Sequence, residues 1–131
     1  MFVDASALTA ILVDERDARE LLARMQGYAV RVTSPLAVWE TVLAIARVLA
    51  LDVKAAEAAV EEFLALTDIS VEPVPAETRS VAIDAFARFG KGRHPAALNF
   101  GDCFAYACAR TAAVPLLYKG DDFPQTDIEP A

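Results

Sequence analysis

The chain has 131 residues, 56% of them apolar, and a formal net charge of −7. That length and apolar content suit one domain with one buried core spanning residues 1–131, and the negative balance excludes a chain that coats nucleic acid through a broad basic face. No apolar run approaches the ~18 residues needed to cross a bilayer, and Met1-Phe2-Val3 meets Asp4 with no positive or apolar leader, so a cytoplasmic protein with no membrane attachment is expected.

In chain order, Met1 to Val3 predicts a short buried strand, followed by helical Ala5 to Leu12 and a second helical run from Asp14 to Met25, with Leu21, Leu22 and Met25 at helical spacing and Gly27 as the stop. Ala29 to Val32 predicts the next strand. Ser34-Pro35 is a helix start, serine at the cap and proline in the first turn, opening a helix over Pro35 to Ala50. Asp52 caps a further helix to about Thr67. Ile69 to Val74 reads as a short strand that Pro73 and Pro75 confine to a sheet edge, and Ala76 to Phe89 as a helix stopped by Gly90. Gly90 to Gly101 is the longest irregular stretch. Asn99 is a good cap for a helix to about Thr111, Val114 to Tyr118 is a strand, Gly120 to Thr126 a polar loop and Asp127 to Glu129 a candidate edge strand. Strands alternating with helices argue for a three-layer α/β/α sandwich around a mainly parallel sheet.

Acidic side chains stand where such a fold gathers them. Asp4 ends the first strand, Glu40 interrupts an almost wholly apolar helix, Asp102 opens a late helix, and Asp121-Asp122 follow the last strand. Each has a local explanation. Asp4 suits a helix cap, Glu40 and Arg47 suit a narrow solvated stripe, Asp102 suits the positive end of a helix dipole, and Asp121-Asp122 suit a turn. Together they suggest more, because open parallel sheets bind ligands at the carboxyl ends of their strands and gathered carboxylates hold hard divalent cations. Two carboxylates ~4 Å apart repel by ~4 kcal/mol at an effective dielectric near 20, so a convergent set needs cations or protons. This pattern reads as a metal-dependent phosphodiester-cutting site.

Ser6 can hold a carboxylate or a metal-bound water, or simply serve its own helix start. Arg88, Lys91, Arg93 and His94 form a local basic patch, and Lys91 and Arg93, close before Asp102, are candidates for binding phosphate as well as plain solvated side chains. His94, the sole histidine, reads as a loop side chain more than a general base. Cys103 and Cys108 lie on different sides of one predicted helix, which suits neither a disulfide nor a metal pair and leaves them as buried free thiols.

The residues Gly90 to His94, Leu98-Asn99-Phe100-Gly101-Asp102-Cys103-Phe104-Ala105-Tyr106, Pro115 to Phe123 and Thr126-Asp127-Ile128, together with Val3-Asp4-Ala5-Ser6-Ala7-Leu8 and the Glu40 helix, resemble the VapC-type ribonuclease toxins of the PIN-domain superfamily. The resemblance covers essentially the whole chain. It implies a single PIN domain, a Mg²⁺ site that Mn²⁺ can also fill, hydrolytic cleavage of RNA, and a cognate VapB-type antitoxin. Carried over by position, Asp4 and Asp102 would be the principal ligands, Glu40 would complete the triad, and Asp122, with Asp121 as second choice, would be the fourth acid. Many PIN domains carry an acidic residue where this chain has Gly120. A homodimer is expected from the high apolar content of so small a chain.

Two other readings compete. A phosphoacceptor receiver domain needs paired acids after its first strand, where Val3-Asp4-Ala5 offers one. A PIN-like module that binds protein or RNA without cutting it would have no need of the retained acids.

Overall fold

The computed structural model describes residues 1–131. Four very short strands, β1 (Phe2–Val3), β2 (Arg31–Thr33), β3 (Ile69–Val71) and β4 (Leu116–Leu117), form one sheet in the order β3-β2-β1-β4, every pairing parallel. Six helices surround it: α1 (Ala5–Leu12), α2 (Ala18–Gln26), α3 (Pro35–Val48), α4 (Val53–Leu66), α5 (Thr78–Phe89) and α6 (Phe100–Ala112). This is the expected α/β/α sandwich.

Strand alternation sorts the core into two halves. Successive side chains of a strand point to opposite faces, so Val3 and Leu117 pack with Leu8, Leu21, Met25, Ile45 and Val60 from α1 to α4, while their neighbours Phe2 and Leu116 pack with Phe89, Leu98 and Tyr106 on the α5–α6 side. The pairing Phe2 with Leu116 and Val3 with Leu117 keeps both faces in step. A register slip by one residue would exchange the two cores.

Several boundaries differ from the sequence expectation. The second helix begins at Ala18, not Asp14, because Asp14 takes a left-handed backbone (φ 53°) and residues 13–17 turn the chain instead. The second strand lies later than Ala29 to Val32, at Arg31–Thr33, because Thr33 is wholly buried with its hydroxyl donating to the Val3 carbonyl at 2.8 Å. The α5 helix starts at Thr78 after a turn closed by Thr78 N–H on Pro75 O at 3.1 Å. Asp127 to Glu129 form no strand. A single bridge joins Leu116 to Pro130, and the Asp127 carboxylate is occupied by Tyr106 (2.6 Å) and Arg88 (2.7 Å). The loop after β4 contains a 3₁₀ turn, Phe123–Gln125.

The carboxyl edge of the sheet is where function is to be sought. From β1 the chain proceeds to β2 and β3 on one side and then crosses to β4 on the other side of β1, so the carboxyl ends of β1 and β4 flank a crevice at the point where the strand order reverses. Asp4 follows β1 there, its N–H donating to Leu117 O at 2.9 Å, and Tyr118-Lys119 follow β4. Thr33→Val keeps the shape of that support and removes its buried hydrogen bond. Unfolding in urea should show a loss of about 1–3 kcal/mol with unchanged m-value.

Candidate metal centre at the carboxyl edge

Asp4 is the N-cap of α1, and it is also the floor of the crevice, only 3% exposed. Its Oδ2 accepts from Ser6 N–H at 2.9 Å and from the Ser6 hydroxyl at 2.5 Å, while Ser6 Oγ in turn accepts from the Lys119 N–H at 3.0 Å. Ser6 therefore ties the end of β1 to the end of β4. The capping and site readings of Asp4 do not exclude each other, since the cap fixes the carboxylate in place.

Asp102 enters from α6. Asn99 and Asp102 form a reciprocal capping box, Asp102 N–H on Asn99 Oδ1 at 3.1 Å and Asn99 N–H on Asp102 Oδ2 at 2.8 Å, which points the carboxylate over the helix start. Glu40 enters from α3 and lies against Gly101. A methyl group on Gly101 would overlap the Glu40 carboxylate, so a bare Cα is what allows α3 and α6 to bring these acids together.

The three carboxyls are all raised from their ordinary values. Burial raises the Asp4 carboxyl well above its usual range, against the lowering effect of the Ser6 hydrogen bonds. Glu40 is raised by burial and by the charges of Asp4 and Asp102. Asp102 is pushed up to about 6 by burial, with the charges of Asp4 and Asp122 adding and the Asn99 hydrogen bond opposing. The charges of Asp4 and Asp102 thus reach Glu40, and those of Asp4 and Asp122 reach Asp102. None of them belongs to an ion pair.

Asp4, Glu40 and Asp102 share a cleft of about 310 Å³ with Ser6, Asn99, Glu15 and Lys119. Asp121 faces elsewhere, into a neighbouring cavity with Asp17, Glu20 and Arg24. Phe123 is buried against Tyr118, ring centroids 5.0 Å apart, and anchors the loop beside Asp122. Lys91 and Arg93 are exposed on the turn after α5 and line no part of the acid cleft; Arg93 lies 5.5 Å over the Phe86 ring. His94 accepts from Ala96 N–H at 3.1 Å and packs edge-on to Phe89, a structural role. Cys103 and Cys108 are buried free thiols, each pushed up to about 11 by burial. Two cleft residues lacked a sequence argument. Glu15 fell inside an expected helix, and Lys119 was one more residue of a polar turn.

The donor set suits a hard divalent cation. It is all oxygen, acidic, partly desolvated and without a cationic partner. The side chains as they stand bring no three such ligands around one point.

The family model for the PIN domain matches residues 1–129. The chain belongs to the PIN-domain family. A VapC ribonuclease of Rhizobium meliloti is 39% identical, the match covering 97% of this chain and 98% of the relative. Ribonuclease VapC30 of Mycobacterium tuberculosis is 37% identical over 98% of this chain and 95% of its own length. The crystal structure of Mycobacterium tuberculosis VapC20, described as a sarcin-ricin loop cleaving toxin, superposes with a TM-score of 0.76 at 21% identity, covering 99% of this chain and 97% of that one, and so shares the PIN fold.

The raised carboxyls predict a pH dependence. Since Asp102 titrates near 6 in the folded protein and at its ordinary 3.8 when unfolded, the folded state binds more protons between those values, and stability falls as pH rises through that window. Asp4 and Glu40 act in the same direction. Asp127, lowered by Tyr106 and Arg88, acts oppositely but only below its ordinary value. With chelator present, urea midpoints should decline between about pH 4 and 6, and Asp102→Asn should flatten that decline.

Proposed function

We propose that this chain is the toxin of a type II toxin–antitoxin pair, a divalent-metal-dependent endoribonuclease acting in the cytoplasm as a single PIN domain. The observation that carries the reading is the meeting of Asp4, Glu40 and Asp102, all raised by burial and none ion-paired, at the crevice between β1 and β4. The curated relatives supply the reaction class, being named ribonucleases.

Asp4, Asp102 and Glu40 are the proposed ligands of Mg²⁺, with Mn²⁺ able to replace it, and Asp122 is the fourth acid ahead of Asp121. When bound, the ion supplies charge stabilisation for the phosphate and a water acidic enough to act as nucleophile. Ser6 works through Asp4, holding one carboxylate oxygen so that the other remains turned to the cleft. Asn99 orients Asp102 in the same way. Lys91 and Arg93 meet RNA only outside the cleft, as contacts to flanking phosphates. Single-stranded or looped RNA suits a narrow cleft better than a duplex.

The proposed partner is a VapB-type antitoxin that places a basic side chain among the unpaired acids. Self-association is supported by the exposed apolar side chains Trp39, Leu43, Ile83, Phe86 and Phe100, a surface of the kind that marks protein contacts. No helix is long and apolar enough to cross a membrane.

Purified protein incubated with RNA and Mg²⁺ or Mn²⁺, with and without chelator, tests the reading; absence of metal-dependent cleavage would leave a binding module. Asp4→Asn and Asp102→Asn should abolish cleavage with the fold intact. Asp122→Asn should lower single-turnover cleavage at least roughly tenfold, about 1.4 kcal/mol, and Asp121→Asn should be mild; the reverse order would exchange the two assignments. Gly101→Ala separates site from scaffold. The flexible end of Glu40 can yield to the new methyl, so stability should change by no more than about 1 kcal/mol, while cleavage falls sharply because Glu40 is displaced.

A further inference from the structure

Lys119 is the one cationic side chain on the wall of the acid cleft. It stands at the end of β4, across the crevice from Asp4, and its N–H is fixed on Ser6 Oγ at 3.0 Å, so its backbone is held in register with the carboxylates. The ammonium is ion-paired with Glu15, from the turn after α1, and Glu15 lines the same cleft. Their side chains are 32% and 37% exposed, and a pair so open to solvent adds little to stability. Scaffold stability therefore does not account for a further acid beside carboxylates that already repel one another.

An RNA strand entering this cleft brings phosphates into a field of like charge on a chain of net charge −7. A bound metal ion would offset part of that repulsion at the reacting phosphate; a protein cation beside it would hold the strand, and the basic patch of Lys91 and Arg93 does not reach the cleft. We infer that Lys119 is the residue that fixes an RNA backbone phosphate beside the acids, and that Glu15 holds the ammonium in the RNA-free protein as a carboxylate in the phosphate's place. This rests on the ribonuclease reading above. A lysine suits the exchange, because its compact ammonium on a flexible stem can leave a carboxylate for a phosphate oxygen without backbone movement.

The test is the affinity of a labelled, mixed-sequence single-stranded RNA for the full chain carrying Asp102→Asn to prevent cleavage, measured in Mg²⁺ across a salt series. Adding Lys119→Ala should weaken binding roughly tenfold, the worth of one hydrogen bond to a charged group, and reduce the slope of log affinity against log salt by about 0.7, one single-strand phosphate contact. Lys119→Arg should restore the slope. Glu15→Gln should tighten binding, since it removes the competing carboxylate, and should add nothing once Lys119 is alanine. Should Lys119→Ala fail to fold, Lys119→Arg and Glu15→Gln still decide the matter. Unchanged salt slope in folded Lys119→Ala, or weaker binding in Glu15→Gln, overturns the inference. If wild-type protein cleaves RNA while either of these holds, only the role of Lys119 falls; if wild-type protein neither binds nor cleaves RNA, the ribonuclease reading falls with it.

Discussion

Holding the Asp4 carboxylate almost out of water at the end of β1 is the condition on which the rest of the site depends. Burial raises its pKa, and the two hydrogen bonds from Ser6 oppose that by favouring the charged form. Because Ser6 Oγ also receives the Lys119 N–H, the same three atoms bind the loops after β1 and β4 together. The crevice keeps its width through a hydrogen-bond chain that reaches a metal-ligand candidate directly.

Around that fixed point, each remaining acid is delivered by a different local device. A capping box aims Asp102, a missing Cβ at Gly101 admits Glu40, and a buried aromatic, Phe123, holds the loop next to Asp122. The sandwich is arranged so that α1 and α3 come from one side of the sheet and α6 from the other, with Val3 and Leu117 packed on the first side and Phe2 and Leu116 on the second. Like charges gathered from independent elements resist one another, and only elements anchored by well-buried side chains can hold them against that repulsion.

Much of this was readable in the chain itself, where short-range physics decides. Ser34-Pro35, Asp52 and Asn99 cap helices where expected because capping is a contact between near neighbours. The acids were legible as a group from their places at element ends. What escaped was set by distant partners. Nothing around Asp14 announced a left-handed turn, and nothing around Glu15 announced Lys119, because that pairing exists only once α1 and β4 meet at the carboxyl edge. Lys91 and Arg93 looked close to Asp102 along the sequence, yet the turn after α5 carries them outward. Asp127 looked like part of a strand and instead serves Tyr106 and Arg88.

The strands deserve to be considered for their brevity. β1 and its neighbour at the sheet edge, β4, are two residues long, so each gives a single side chain to each core and the backbone bonds between them lie directly beneath the acid cleft. The amides of Phe2 and Asp4, bonded to Pro115 and Leu117 carbonyls at 2.8 and 2.9 Å, are therefore shielded by both cores at once. In hydrogen exchange such amides open only with the whole molecule. The slowest-exchanging part of this protein is then the ground on which the carboxylates stand, and local fluctuations that open the helix ends leave the spacing of Asp4 from β4 untouched.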